Sequence, residues 1–317
     1  MKDRHVKLVL TCFYLALFNV AHAQGLRFTT SIRTTNGVSL QWSNSTAGQS
    51  YTVQSRDRLT NSIWLMLGSP QPWPTVQTQW NDTTLSTQLM RFYRVAAVQP
   101  ATRGKLLSSN LLQSYTVSDL NTLLYDYGLP PTAQYAVKWY QVVYETIDPL
   151  GGRTTASGGL FLPQGVGKNL PLFSYSHGTT TLTNDVASIY NSGEYPVGLL
   201  FAATGYATVL PDYLGMGSSP GLHPYIHARS EATASVDMLR AARNYCARNN
   251  IGLNGQLFLA GYSQGGHAAM ALHRELEQYH TNEFAITASA PMAGPYDMSG
   301  VDRPRTFRGV TICHWEG

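Results

Sequence analysis

The run Gln256-Leu257-Phe258-Leu259-Ala260-Gly261-Tyr262-Ser263-Gln264-Gly265-Gly266-His267-Ala268-Ala269 decides the fold. Gln256–Ala260 is a short apolar stretch closed by a turn signal, the pattern of a strand buried on both faces. From Gly265 to His280, apolar side chains recur at Ala269, Leu272, Leu276 and Tyr279, the spacing of one helix face. A strand therefore passes into a helix over five residues, Gly261-Tyr262-Ser263-Gln264-Gly265. Glycine at 261 and 265 lets the two backbones close on each other. The bend then lifts the Ser263 hydroxyl above the sheet, beside the first N–H groups of the helix and the positive end of its dipole. In that setting G-x-S-x-G reads as a nucleophile elbow, with Ser263 the nucleophile and the Gln264 N–H one donor to a developing oxyanion. The plainer alternative is a serine in an ordinary strand-to-helix turn.

The same alternation extends to both sides. Tyr135–Ile147 alternates as a strand, Pro149-Leu150-Gly151-Gly152 makes a turn, and Thr154–Leu162 returns. Short apolar strands follow at Leu170–Tyr175, Ala207–Leu210 and Phe284–Ala290, with helices over Val197–Thr204 and about Ser230–Arg248. Strands separated by amphipathic helices predict a mainly parallel sheet covered on both faces. Upstream, Leu106–Leu124 has helix-like apolar spacing and ends near Gly128-Leu129-Pro130-Pro131. The uncharged Val197–Gly205 segment suits either the wall of an acyl pocket or plain helix core.

A second oxyanion donor is expected in the loop after the third strand, Ser174-Tyr175-Ser176-His177-Gly178-Thr179-Thr180-Thr181. The backbone of Thr179 is the first choice there and Gly178 the fallback, with His177 shaping the loop rather than acting as base. Asp212 ends a strand, where it either takes part in chemistry or organises the Gly-rich loop after it; the second is favoured. His223 and His267 read as structural.

Two further runs, Pro211-Asp212-Tyr213-Leu214-Gly215-Met216-Gly217 and Leu222-His223-Pro224-Tyr225, join Gly261–Ala268 in a common pattern. With them, residues ~104–297 resemble the secretory-lipase-like branch of the α/β-hydrolase superfamily. The resemblance implies an α/β-hydrolase fold and hydrolysis of carboxylic esters through an acyl-serine intermediate, with acyl-glycerols or other apolar esters as substrates. It also implies a chain order of Ser, then Asp or Glu, then His for the triad. After Ser263 the sequence offers one helix, one strand and the stretch Pro291–Gly317, too little for two more strand–helix units. The formal candidates are Asp297 or Asp302 as acid and His314 as base, and they fit poorly. The expectation is a hydrolase domain truncated before its acid and base. Two rivals stay open: a serine peptidase on the same fold, and a non-catalytic surface-binding relic.

Residues 25–98 are of another kind. Strand-like runs at Gly37–Trp42, Ser50–Ser55, Ile63–Met66, Thr78–Trp80 and Arg91–Ala96 are separated by turn-prone residues at the spacing of a β-sandwich. The pattern resembles a fibronectin-type-III-like module, a small all-β domain joined by the linker 99–104 to the α/β domain at 105–317. Its Trp42, Trp64 and Trp80 are either sandwich core, the favoured reading, or a contact for a polymer or surface.

Lys2, Arg4 and Lys7 precede the apolar Leu8–Val20 and then Ala21-His22-Ala23. A basic start, a short apolar core and a small-x-small site predict a cleavable signal peptide over 1–23, hence a secreted or periplasmic protein. The apolar run falls short of the about 20 residues that span a bilayer, although an uncleaved anchor is the alternative. Loss of Cys12 with the signal leaves Cys246 and Cys313, of which Cys246 reads as core, with a disulfide the lesser option.

The 317 residues suffice for two domains, and the 43% hydrophobic content can fill their cores. With 13% charged residues and a scattered net charge of +4, composition speaks against a disordered chain and against nucleic acid as partner. No spacing of His or Cys suggests a metal, and no cofactor is implied.

Overall fold

The computed structural model describes residues 26–35, 37–43, 48–56, 64–67, 73–84 and 91–297. Residues 1–23, where a signal peptide is expected, Asp302, Cys313 and His314 lie outside the described residues. The chain divides into two compact units, Met1–Val98 and Gln99–Gly317.

The first unit holds β1 (Phe28–Thr34), β2 (Gly37–Trp42), β3 (Ser50–Arg56), β4 (Leu65–Met66), β5 (Gln79–Asp82) and β6 (Phe92–Val98). They form two antiparallel sheets, β1-β2-β5 and β4-β3-β6. Leu40, Trp42 and Trp80 from the first meet Tyr51 and Val53 from the second, with Leu67, in one core. Trp42 and Trp80 are thus core. Trp64 is half-buried, with the guanidinium carbons of Arg56 and Arg94 4.3 and 4.5 Å from its ring centre. The sequence reading did not anticipate β1: its residues are mostly exposed, and its place is set by the ladder to β2.

The second unit contains β7 (Leu106–Tyr115), α1 (Val117–Asp126), β8 (Val137–Ile147), β9 (Arg153–Pro163), β10 (Leu170–Ser176), α2 (Tyr195–Ala203), β11 (Ala207–Pro211), α3 (Ala228–Arg248), β12 (Leu253–Tyr262), α4 (Gln264–Tyr279) and β13 (Ile286–Met292). The sheet order is β13-β12-β10-β11-β9-β8-β7. β8, β10, β11, β12 and β13 run one way, and β7 and β9 oppose them.

One expectation is corrected here. Leu106–Leu124 is not a single helical segment: residues 106–115 are an edge strand paired with β8, and the helix starts at Val117. The register slips at Leu107 and Leu112. Each bulge adds a residue and breaks the two-residue alternation, so adjacent leucine pairs imitate a helical face. Thr116 then ends the strand with a capping box: its Oγ1 accepts from the Asp119 N–H, and its own N–H donates to Asp119 Oδ2 at 2.8 Å.

Helices cover both faces. α3 and α4 contribute Val236, Leu239, Leu272 and Leu276 to the core on one face, where Cys246 is a free thiol that burial pushes up to about 11. Leu120 of α1 and Leu199, Ala202 and Ala203 of α2 fill the other, against Trp139, Phe161 and Phe173 of the sheet. The chain leaves β10 for β11 on one side and returns through α3 to β12 on the other. That reversal opens the crevice at the C-terminal ends of β10 and β12, where ligands bind in such sheets.

The unit's first residues are tied to α3 through Asp237, which is fully buried. Its carboxylate accepts from Thr146 Oγ1 at 2.6 Å and Arg240 Nη1 at 2.9 Å, and pairs with Arg103. Asp237→Ala takes the buried acceptor from Arg103 and Thr146, while Arg240 keeps Glu283, and is expected to destabilise the unit by about 3 kcal/mol. Urea unfolding measures this, and a change below about 0.5 kcal/mol would remove the network from the account of stability.

Candidate active site

β12 delivers Tyr262 and Ser263 to the crevice, and α4 begins at Gln264. Ser263 has φ 58° and ψ −122°, a conformation that L-residues avoid and that costs of order 1–3 kcal/mol unless its surroundings impose it. The surroundings do. A Cβ on Gly265 would sit inside the Ser176 carbonyl, and one on Gly261 would meet the Gly265 carbonyl. Contact this close between β10, β12 and α4 leaves the intervening residue no ordinary torsion. The Ser263 N–H donates to Met292 O at 3.0 Å, and its carbonyl accepts from the Gly266 N–H at 2.9 Å.

Ser263 is half-buried, and its hydroxyl has no hydrogen-bond partner among the described residues. The Gln264 N–H is likewise without one, as the first amide of a helix should be. β10 pairs in parallel with β12, Ser176 opposite Gly261, so His177-Gly178-Thr179 continues beside the elbow. A Cβ on Gly178 would lie 3.5 Å from Tyr262 O. The Gly178 N–H donates to Glu194 Oε1 at 2.9 Å and is spent. The Thr179 N–H has no acceptor among the described residues, while its hydroxyl sits 3.0 Å from Tyr225 Oη. Of the two candidates in this loop, Thr179 has the free amide.

His177 is buried, with Nδ1 2.7 Å from Gly178 O, Nε2 3.3 Å from Asp212 O, and its ring against Tyr213. Asp212 is also buried: it accepts from Ser157 Oγ at 2.6 Å and the Ser188 N–H at 3.2 Å, and burial pushes its carboxyl above the ordinary range. Ser157 Oγ in turn accepts from the Ser218 N–H at 2.8 Å, fixing the Gly-rich loop. Both residues shape loops in this arrangement. His223 and His267 converge on one carboxylate, Glu231, through or beside the Gln264 side chain. Asp297 is the last described residue.

Sequence reasoning passed over Glu194 and Glu231. Glu194 precedes Tyr195-Pro196 without a motif. Glu231 carried a usable signal: an acid on a helix turn otherwise packed with Ala, Thr and Ser, where a charge needs a partner.

An apolar cavity of about 410 Å³ lies between α1 and α2. Leu123, Tyr127, Val197, Leu200 and Ala203 line it, with Glu194 at the start of α2. The buried side of α2 is core, and other residues of the Val197–Gly205 segment line this cavity.

A serine on a strained strand-to-helix bend, at the crevice of a sheet ordered in this way, defines the α/β-hydrolase class. Residues 197–286, from α2 into β13, match the secretory lipase family. The rice cell wall degrading esterase LipA from Xanthomonas oryzae is similar at 37% identity over 62% of this chain and 52% of that one, with a TM-score of 0.56. A hydrolase-like protein from Legionella pneumophila is similar at 32% identity over 60% of this chain and 52% of that one, with a TM-score of 0.55. No curated protein matches the chain in sequence. The second unit has the α/β-hydrolase fold and is similar to secretory lipases and to these solved structures. The chain spans about half the length of these solved structures.

Two outcomes follow from the geometry. Ser263→Gly relieves the torsion that Ser263→Ala keeps, and should be the more stable of the two by about 1 kcal/mol in urea unfolding; the reverse order would mean the bend is unstrained. Burial holds His223 and His227 below the ordinary 6.5. The unfolded chain therefore binds protons before the folded one does, and stability is present above pH 6.5 and lost as pH falls below it. The melting temperature should drop from pH 7 to pH 5.5, and less so in His223→Gln; equal slopes would clear His223 of a part.

Proposed function

We propose that the protein is an exported serine hydrolase of carboxylic esters, acting through an acyl-serine intermediate. The observation that carries this reading is the forced bend at Ser263, which sets an unpartnered hydroxyl next to the unpartnered Gln264 N–H. Ser263 Oγ attacks the ester carbonyl carbon and gives up its proton to a base. The displaced carbonyl electrons collect on the oxygen, where the N–H groups of Gln264 and Thr179 receive them. Collapse expels the alcohol, and water then releases the acid from the serine. Within the described residues no imidazole bonds to Ser263 Oγ; His177, His223, His227 and His267 have their partners elsewhere.

Apolar acyl groups are the favoured substrates, supported by the cavity between α1 and α2 and by Glu194, which borders it and holds Gly178. The small β unit reads as a fibronectin-type-III-like module that meets a polymer or surface, for which the half-exposed Arg56–Trp64–Arg94 stack is the best candidate. Export rests on the basic and apolar pattern of the first residues and on the secretory family match. No helix among the described residues is long and apolar enough to cross a membrane.

A fluorophosphonate probe tests the chemistry. Folded protein should be labelled at Ser263 and not in Ser263→Ala; labelling that survives this substitution, or none at all, overturns the reading. Leu200→Trp, which fills the cavity, should lower kcat/KM for p-nitrophenyl octanoate at least 10-fold and leave the acetate within twofold. Equal losses on both esters would remove the cavity from substrate binding.

A further inference from the structure

Glu231 stands in the first turn of α3 with about 1% of its surface exposed. Both carboxylate oxygens are committed. Oε1 accepts from Gln264 Nε2 at 3.0 Å, and Oε2 lies 2.7 Å from His267 Nδ1. Gln264 Nε2 also lies 2.8 Å from His223 Nε2. The hydrogens can be assigned by elimination. His223 Nδ1 is 2.9 Å from the Leu214 carbonyl, which only accepts, so Nδ1 carries the ring hydrogen and Nε2 is bare. The amide of Gln264 therefore gives one hydrogen to Glu231 and the other to His223. Turning it over would set its oxygen against a carboxylate and a ring lone pair, so a single orientation survives.

Gln264 and His267 are the only residues of the first turn of α4 with side chains longer than a hydrogen, since Gly265 and Gly266 lie between them. One carboxylate thus grips that turn at both ends. An apolar contact would pack α3 on α4 at lower cost than a buried charge. It would not fix the rotation of residue 264 about the helix axis, and that rotation sets where the Gln264 N–H points.

We infer that Glu231 is a positioning residue, holding the Gln264 side chain so that the backbone N–H beside Ser263 is aimed at the reacting oxygen. The inference rests on the acyl-serine reading and adds a residue to it. Two readouts on the full chain test it, ester hydrolysis and hydrogen exchange of α4 amides. Glu231→Met keeps the volume and removes the acceptor. It should lower kcat at least 10-fold, a fraction of what loss of an oxyanion donor costs, with KM within twofold. Exchange should quicken at residues 266 and 267, whose N–H groups donate to the Ser263 carbonyl, and stay unchanged at 269–276. Glu231→Gln, which still accepts from Gln264, should recover most of both. Adding Gln264→Ala to Glu231→Met should lower kcat no further than the worse single change, because both break one link.

A kcat within twofold of wild type, multiplied losses in the double variant, or exchange that quickens along all of α4 would each overturn the assignment and leave Glu231 a packing residue. If Glu231→Met does not fold, Gln264→Met replaces it with the same expectations, since it leaves the carboxylate paired with His267. Should the unaltered protein hydrolyse no ester, the acyl-serine reading fails by itself. Quickened exchange confined to 266 and 267 then upholds the positioning, and exchange that is unmoved or widespread rejects it.

Discussion

At the crossing of β10, β12 and α4, backbones approach more closely than any side chain permits. Gly261 and Gly265 face each other and the Ser176 carbonyl with no space for a methyl group. The consequence is local and unavoidable: Ser263 is driven to φ 58°, and the chain turns from strand to helix in one residue. The strain is held by the hydrogen bond from its N–H to the end of β13 and by the start of α4 on its carbonyl. The bare hydroxyl and the free amide next to it are products of this constraint.

Buried polar groups then fix what the bend alone leaves free. Asp212 collects Ser157 and Ser188, and through Ser157 the loop at Ser218. Tyr213, buried beside it, stacks between His177 and His223 and donates its hydroxyl to the His177 carbonyl at 3.0 Å. Glu194 takes the Gly178 amide out of play. Each link joins loops that leave the C-terminal ends of different strands, where there is no ladder to set their geometry. Charges so placed cost solvation, and full hydrogen bonding is what makes the cost bearable.

Much of this was readable in the residues. Gln256–Ala260 and the helix after it gave the elbow by period and by glycine placement. The alternation from Tyr135 to Leu162 gave the hairpin within two residues of its limits. Leu106–Tyr115 was misread because two bulges double its leucines and erase the alternation by which a strand is recognised. β1 was missed because an exposed edge strand has no buried face to imprint on its sequence. The site divides in the same way. Ser263 and Gln264 follow from neighbours in the chain. The roles of Glu194 and Glu231 depend on contacts with Gly178 and Gln264, 16 and 33 positions away, for which no local pattern exists.

The division of the sheet explains why the loops of the candidate site meet where they do. In the hairpin half, β7, β8 and β9 are antiparallel, so successive strand ends point to opposite rims and bring few loops together. In the other half, β10, β11, β12 and β13 share one direction, and every loop after a strand opens on the same rim. His177-Gly178-Thr179, Asp212-Tyr213 and Ser263-Gln264 are three such loops, brought together although 86 positions separate His177 from Ser263 in the chain. Parallel pairing requires a helix between strands, and α4, the helix that follows β12, supplies the free amide at Gln264. The connection that the sheet demands and the donor of the proposed reaction are therefore the same element, which leaves the orientation of that first turn as the variable on which the proposed oxyanion binding turns.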